Sequence, residues 1–280
     1  MKKLRLLAVL TAFLNLSCKS NPNEIRRIPL PEIIEESSGL ASFGADFLSH
    51  NDSGGAPVLY QLNPQGEVVN QHHITGAVNR DWEDLAQDEN QYYIADTGNN
   101  KGTRNDLTIY ITDKNLLLQD SIKIQYQKQK KFKKNKKTKY DAEALMVVGD
   151  SLVLFSKNRK SMNTQLYTFP KTAGTYTLSS RKKYKINTLI TGGDYDPQTK
   201  VLVLTGYRPD YSQYLLKAND FELEQIETTE FERFLIPMEN AQIEAVKILE
   251  NQQIWISSES EGYQIPFLSE IKISDLEKLN

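Results

Sequence analysis

The sequence predicts an all-β fold, a five-bladed β-propeller, with a six-bladed ring as the alternative. Three observations carry that prediction. Short Val/Ile/Leu/Tyr runs alternate with Gly, Asn, Asp and Pro clusters, the pattern of strands and turns. A similar opening recurs at intervals of 45 to 60 residues, which signals a repeat architecture. Each opening leads into three or four strand-like segments, the size of one propeller blade.

The five openings are Glu36-Ser37-Ser38-Gly39-Leu40-Ala41, Asp81-Trp82-Glu83-Asp84-Leu85-Ala86, Asp141-Ala142-Glu143-Ala144-Leu145-Met146, Thr191-Gly192-Gly193-Asp194-Tyr195-Asp196 and Gln242-Ile243-Glu244-Ala245-Val246-Lys247. Second strands follow at 47–50, 92–95, 152–156, 201–206 and 254–257, and third strands at 58–62, 107–112, 165–169, 214–217 and 267–273. Fourth strands read at 67–74, 121–127, 175–186 and 222–231. The fifth unit lacks one, and the Ile-rich segment 24–31 is suited to complete it and close the ring.

Ahead of the repeats, Lys2, Lys3 and Arg5 precede an apolar stretch from Leu6 to Leu16, a basic region and short hydrophobic region of the kind found in secretory signals. The stretch falls short of the roughly 20 apolar residues a membrane span needs. It ends Leu14-Asn15-Leu16-Ser17-Cys18, which resembles a lipobox, although Asn15 stands where an aliphatic residue is usual. The expected organisation is a signal peptide at 1–17, a lipidated tether at 18–23 and one propeller domain at 24–280. Lipidation at Cys18 would hold the exported chain at the bacterial cell envelope, at the outer membrane. Simple cleavage and release is the alternative. Cys18 is the single cysteine, which excludes an internal disulfide and a cysteine-based zinc site.

A net charge of −2 and a pI near 6.0 argue against a general nucleic-acid binder. The expected partners are an anionic small molecule, an envelope protein or a glycan, with the membrane reached through the lipid anchor. There is no P-loop, dinucleotide fingerprint or serine-hydrolase constellation, and His50, His72 and His73 lack metal-ligand spacing.

In a propeller, residues that open the first strand of each blade converge on one mouth of the central channel. Ser38, Glu83, Glu143 and Glu244 are such residues. In blade four the equivalent is Asp194 if acidity guides the alignment, and Thr191 or Gly192 if the turn at Pro197 does. Converging carboxylates repel unless neutralised, and a hard cation with 6 to 8 oxygen ligands suits them, calcium above magnesium or zinc. Capping of backbone groups around a water-filled channel is the plainer reading. A second tier comes from the corners after strand two: Asp52, Asp96, Asn99, Lys157, Arg159 and Arg208, with Arg80 on the same face. These could bind an anionic ligand, or form ordinary turns and a solvated rim. The lysine-rich run 128–139 enlarges the second repeat on that face, either as a solvated loop or as an attractor of anions.

With the segments Glu36 to Leu40, Asn51 to Gly55, Asp81 to Ala86, Asp96 to Asn100 and Asp141 to Leu145 in this order, the chain resembles a family of secreted bacterial β-propeller proteins over nearly all of the mature sequence. It is more distantly similar to the soluble calcium-activated nucleotidases, or apyrases, which are five-bladed propellers. That resemblance implies calcium ligands at Ser38, Glu83, Glu143 and Glu244, with Thr191 or Asp194 in the fifth place, and a catalytic role for Asp52 near a phosphate site. The glycine-rich corners differ, and Asp96 to Asn100 has no counterpart in the apyrases. The sequence supports two readings: a calcium-centred binding propeller, and a calcium-dependent phosphohydrolase in which Arg80, Arg159 and Arg208 clamp phosphates.

Overall fold

A computed structural model describes residues 25–238, 241–249, 251–260, 262 and 264–279. The expected signal peptide, Cys18 and the tether lie outside the described residues. The described chain forms a five-bladed β-propeller. After β1 (Ile28–Pro29), blade 1 comprises β2 (Ser37–Phe43), β3 (Asp46–Asn51), β4 (Val58–Leu62) and β5 (Val68–His73). Blade 2 comprises β6 (Asp84–Gln87), β7 (Gln91–Asp96), β8 (Thr108–Asp113) and β9 (Leu118–Tyr126). In blade 3, β10 (Ala142–Val148), β11 (Ser151–Ser156) and β12 (Thr164–Pro170) are followed by β13 (Gly174–Leu178) and β14 (Lys182–Tyr184). Blade 4 comprises β15 (Leu189–Asp196), β16 (Val201–Tyr207), β17 (Gln213–Ala218) and β18 (Glu232–Ile236). Blade 5 comprises β19 (Gln242–Ile248), β20 (Ile254–Glu259) and β21 (Phe267–Ile271), and the chain ends in β22 (Glu277–Leu279).

The first strands β2, β6, β10, β15 and β19 each contact the next, and β19 contacts β2, so they ring the axis. Successive residues of a strand face opposite sides, and both sides of a blade are covered by neighbouring blades. This is why the strands read as unbroken apolar runs such as Leu152 to Phe155. The core is therefore five layers between blades. Leu145 packs toward blade 2 and Ala144 and Met146 toward blade 4. Leu40 packs toward blade 5 and Ala41 toward blade 2. Blade 4 passes the axis as Gly192-Gly193 because a Cβ there would sit 2.8 Å from the Glu244 carbonyl oxygen and 2.7 Å from Met146 Cε.

The closing strand lies where the sequence places it. β1 pairs antiparallel with β21, Ile28 opposite Leu268, and completes blade 5. Two assignments of outer strands are corrected. The segment expected as the fourth strand of blade 3, 175–186, divides: β14 fills that place, while β13 leaves and pairs parallel with β9 at the edge of blade 2, Tyr176 opposite Ile124. Leu178 enters the core between blades 2 and 3 as a result. The fourth strand of blade 4 is β18 rather than 222–231. Phe221 and Ile226 anchor turns into the core there instead of lying in a ladder. β22 then adds a fifth strand outside β18.

If the N-terminal segment closes the ring, Leu30, buried in the layer between blades 5 and 1, should matter as much as Leu268 on the strand beside it. Leu30→Ala should cost about 2–4 kcal/mol in urea unfolding. A cost near zero would mean that the segment does not close the last blade.

Candidate functional site

The five strand-one openings meet at one end of the channel. In blades 3, 4 and 5 the pairing of strand one with strand two skips Glu143, Thr191 and Glu244, and in blade 1 the register slips between Ser38 and Ala41. Such bulges re-aim a side chain and recur beside functional sites. They settle the alignment of blade four: Thr191 is the equivalent of Glu143 and Glu244. Asp194 lies three residues further down the channel, where it accepts hydrogen bonds from Lys247 Nζ at 2.9 Å and from the Ile248 amide at 2.8 Å. Asp194 is therefore not a member of the mouth.

The two hydroxyls of the ring are used in joining blades. Ser38 Oγ donates to the Glu83 carbonyl oxygen at 2.7 Å, and Thr191 Oγ1 donates to that of Ile243 at 2.6 Å. Below the mouth the channel is crossed by Asp84, whose carboxylate accepts the amides of Leu85 and Leu145, both at 2.8 Å. Burial nevertheless pushes Asp84 up to about 8. His50 is buried against Trp82, 5.5 Å between ring centroids, and burial lowers it to about 4, so it is a neutral packing group.

Carboxylates crowd the mouth itself. Glu83 is 4% exposed, Glu143 1% and Glu244 5%. Asp52, Asp81, Asp141 and Glu259, which the strand-one alignment does not single out as a set, surround them. The carboxylate oxygens of Asp52, Asp81 and Glu83 lie within 4.8 Å of one another, as do those of Glu83, Asp141 and Glu143. Burial first, and then repulsion from neighbouring acids, raises Asp52 to about 8 and Glu259 to about 9, and lifts Glu83 well above the ordinary carboxylate range. Asp81 rises to about 6 for the same reasons.

Two cations enter the mouth from the corner after β11. Lys157, 4% exposed, donates to Glu143 Oε2 at 2.5 Å and lies over the Tyr207 ring. Arg159 meets Asp141 Oδ2 at 3.2 Å and Glu143 Oε1 at 3.5 Å, and bonds Asn100. Although burial still lifts Glu143 well above the ordinary carboxylate range, it is paired from within the chain. Glu83 is not: its Oε1 is buried and has no hydrogen-bond partner among the described residues. The same holds for Asp52 Oδ1. Gly98 borders this gap so closely that a Cβ there would collide with Glu83 Oε1 and the Asp81 carboxylate. An all-oxygen, acid-rich, under-neutralised donor set fits a hard divalent cation. Among the described residues its centre is Glu83 with Asp52 and Asp81, to one side of the ring axis.

Other residues expected to bind a ligand are placed elsewhere. Asp96 accepts the Asp81 amide at 3.1 Å and pairs with Arg104 at 2.9 Å. Asn99 donates through its own amide to Asp141 Oδ1 at 2.7 Å and through its side chain to the Tyr140 carbonyl oxygen. Asn99 thus holds the corner of blade 2 against blade 3, while Asp96 ties that corner to the opening of its own blade. Arg80 is exposed and pairs with Asp106, and Arg208 bonds the Asn187 carbonyl oxygen and stacks on Tyr214. Of the expected guanidinium clamp, only Arg159 reaches the mouth.

The geometry defines a five-bladed propeller with an acidic channel mouth. No family model and no curated protein matches the chain. Among solved structures, the chain is similar to a mutant NanB sialidase from Streptococcus pneumoniae, at 13% identity and TM-score 0.44, over 79% of this chain and 36% of that one. It is also similar to a protein assigned as TolB from Agrobacterium tumefaciens, at 12% identity and TM-score 0.45, over 87% and 80% of the two chains. A third is an assigned glucose dehydrogenase from Thermus thermophilus, at 9% identity and TM-score 0.43, over 87% and 85%.

In unfolded chains aspartate and glutamate titrate near pH 4, so between about pH 4 and their raised native values the folded state of this protein holds the extra protons. Stability contributed by Asp81, Asp52 and Glu259 is therefore lost as pH rises through about 6, 8 and 9. With chelator present, the unfolding midpoint should fall between about pH 5 and pH 9, and Asp52→Asn should flatten that fall. A midpoint that climbs over this range would show that the acids are not crowded as described.

Gly98→Ala should cost about 1–3 kcal/mol through overpacking against Glu83 and Asp81. Chemical denaturation measures it, and a neutral result would mean that the two carboxylates do not abut the corner of blade 2.

Proposed function

We propose that this chain is a calcium-centred binding propeller of the bacterial cell envelope that holds an anionic ligand or a partner protein at its channel mouth. The observation that carries the reading is Glu83, buried with one carboxylate oxygen unpartnered and with Asp52 and Asp81 beside it. Calcium takes 6 to 8 oxygen ligands in flexible geometry, which side chains from adjoining blade corners can supply together with water. Glu143 and Glu244 belong to the wider acidic wall, with Lys157 as a built-in counter-charge to Glu143. Arg159, beside Asp141 and Glu143 at the mouth and partly exposed, is the guanidinium placed to meet a carboxylate or phosphate. Signal-directed export and a lipid at Cys18 supply the envelope location in this reading, at the outer membrane.

Binding without turnover is favoured over a calcium-dependent phosphohydrolase, because two of the three arginines of the phosphate clamp, Arg80 and Arg208, are engaged away from the mouth. Release of phosphate from nucleotides or phosphomonoesters by the wild type, abolished by Asp52→Asn, would reverse that preference.

Thermal unfolding with calcium and with chelator tests the cation. Calcium at about 100 times its dissociation constant should raise the midpoint by roughly 5–10 °C. Glu83→Gln should abolish the rise, and Glu143→Gln should keep most of it. Equal loss in both variants would move the cation onto the axis, and no rise in the wild type would remove it from the account.

A further inference from the structure

Eight lysines and no acid occupy residues 128–139, while the whole chain carries −2, so the remaining sequence holds an excess of ten negative charges. The run is a built loop. Gln129 is 6% exposed and donates from Nε2 to the Gly102 carbonyl oxygen at 3.0 Å, and the Asn135 amide donates to that of Lys101 at 2.8 Å. Thr138, 2% exposed, accepts the Tyr140 amide at 3.1 Å, and the Tyr140 hydroxyl returns to the Lys128 carbonyl oxygen at 2.8 Å. The backbone frame is thus set before any ligand arrives, which lowers the ordering cost of binding.

Lys128, Lys130, Lys131, Lys133 and Lys134 line one cavity of about 440 Å³, whose wall includes Tyr140. None of the five is in an ion pair among the described residues. Five exposed lysines lining one concavity, with no acid in the segment, place like charges close together, and an anion of matching multiplicity relieves their repulsion. Lysine supplies point charges without the planar fork of arginine, so the site selects for clustered charge more than for one oriented carboxylate.

The loop lies on the mouth face. It leaves the end of β9 and runs through Tyr140 into Asp141, which is itself a wall of the mouth. β1 enters its blade from the opposite face, because it runs antiparallel to β21 and its successor Leu30 bonds Pro266 at the mouth end. A concave site on the face away from the chain's entry favours a soluble polyanion over a bilayer.

We propose that this lysine-lined cavity is a second binding site, for an anion carrying several clustered phosphate or sulfate groups, independent of any cation at Glu83. Calorimetric titration of the mature chain with tripolyphosphate, in chelator and at low salt, tests it. The expected result is saturable binding that weakens at least about tenfold when salt is raised from about 50 to about 300 mM, as screening contracts. Replacing Lys130, Lys131, Lys133 and Lys134 together by Gln should weaken it at least as much, whereas Glu83→Gln should leave it unchanged. Those four side chains are outside the core, so an unaltered unfolding midpoint confirms that the variant is folded. The proposal is overturned if tripolyphosphate does not bind, if the fourfold variant binds it as tightly as the wild type, or if only vesicles containing anionic lipid are bound. Loss of the calcium response with retained tripolyphosphate binding would sink the cation reading and leave this one standing.

Discussion

Ring closure around a narrow axis is the constraint from which the rest follows. Five first strands must pass one another in contact, so the residues that open them converge whether or not their charges agree. Gly192 and Gly193 answer the steric side of that demand by giving blade 4 no side chains where blades 3 and 5 approach. The electrostatic side is answered only in part. Lys157 and Arg159 bring counter-charge to Glu143 and Asp141, yet burial, with repulsion between neighbouring acids, raises the proton affinity of Glu143 as well as of Glu83 and Asp52. Lys157 near Asp52 and Arg104 near Asp81 offset that crowding only in part.

The architecture was legible because a blade covered on both faces leaves a strong trace: unbroken apolar runs, turns between them and an opening that repeats. The N-terminal closing strand followed from a count of strands. The outer strands were less legible, since they are short, half-exposed and free to join either neighbour. β13 pairs with blade 2 although its sequence continues blade 3, and nothing in Gly174 to Leu178 distinguishes the two edges. Ile226 looked like part of a strand because buried anchors of turns are apolar too.

At the mouth, position was easier to read than partnership. The ring of Ser38, Glu83, Glu143, Thr191 and Glu244 could be listed from the repeat, and the bulges confirm Thr191 over Asp194 as its fourth member. What the repeat could not convey is that the aliphatic stem of Lys157 carries its ammonium back into the ring, or that Arg80 and Arg208 find partners on the rim. Those outcomes depend on side-chain reach between blades. Asp81 and Asp141 did have a visible signal, since each stands two residues before a ring glutamate, as Glu36 stands before Ser38. Read together, the paired acids would have pointed to a two-tiered wall.

The two ends of the described chain are woven into adjoining blades. β1 waits for β21, some 240 residues later, to form its ladder, and the outer edge of blade 4 is not covered until β22 arrives. Contacts of such long sequence separation make folding slow. They also mean that a chain still being synthesised, or still threading through a pore, has an open ring. Until β21 and β22 have formed, the chain is an unfinished toroid, and only with ring closure do the channel mouth and its charges come into being.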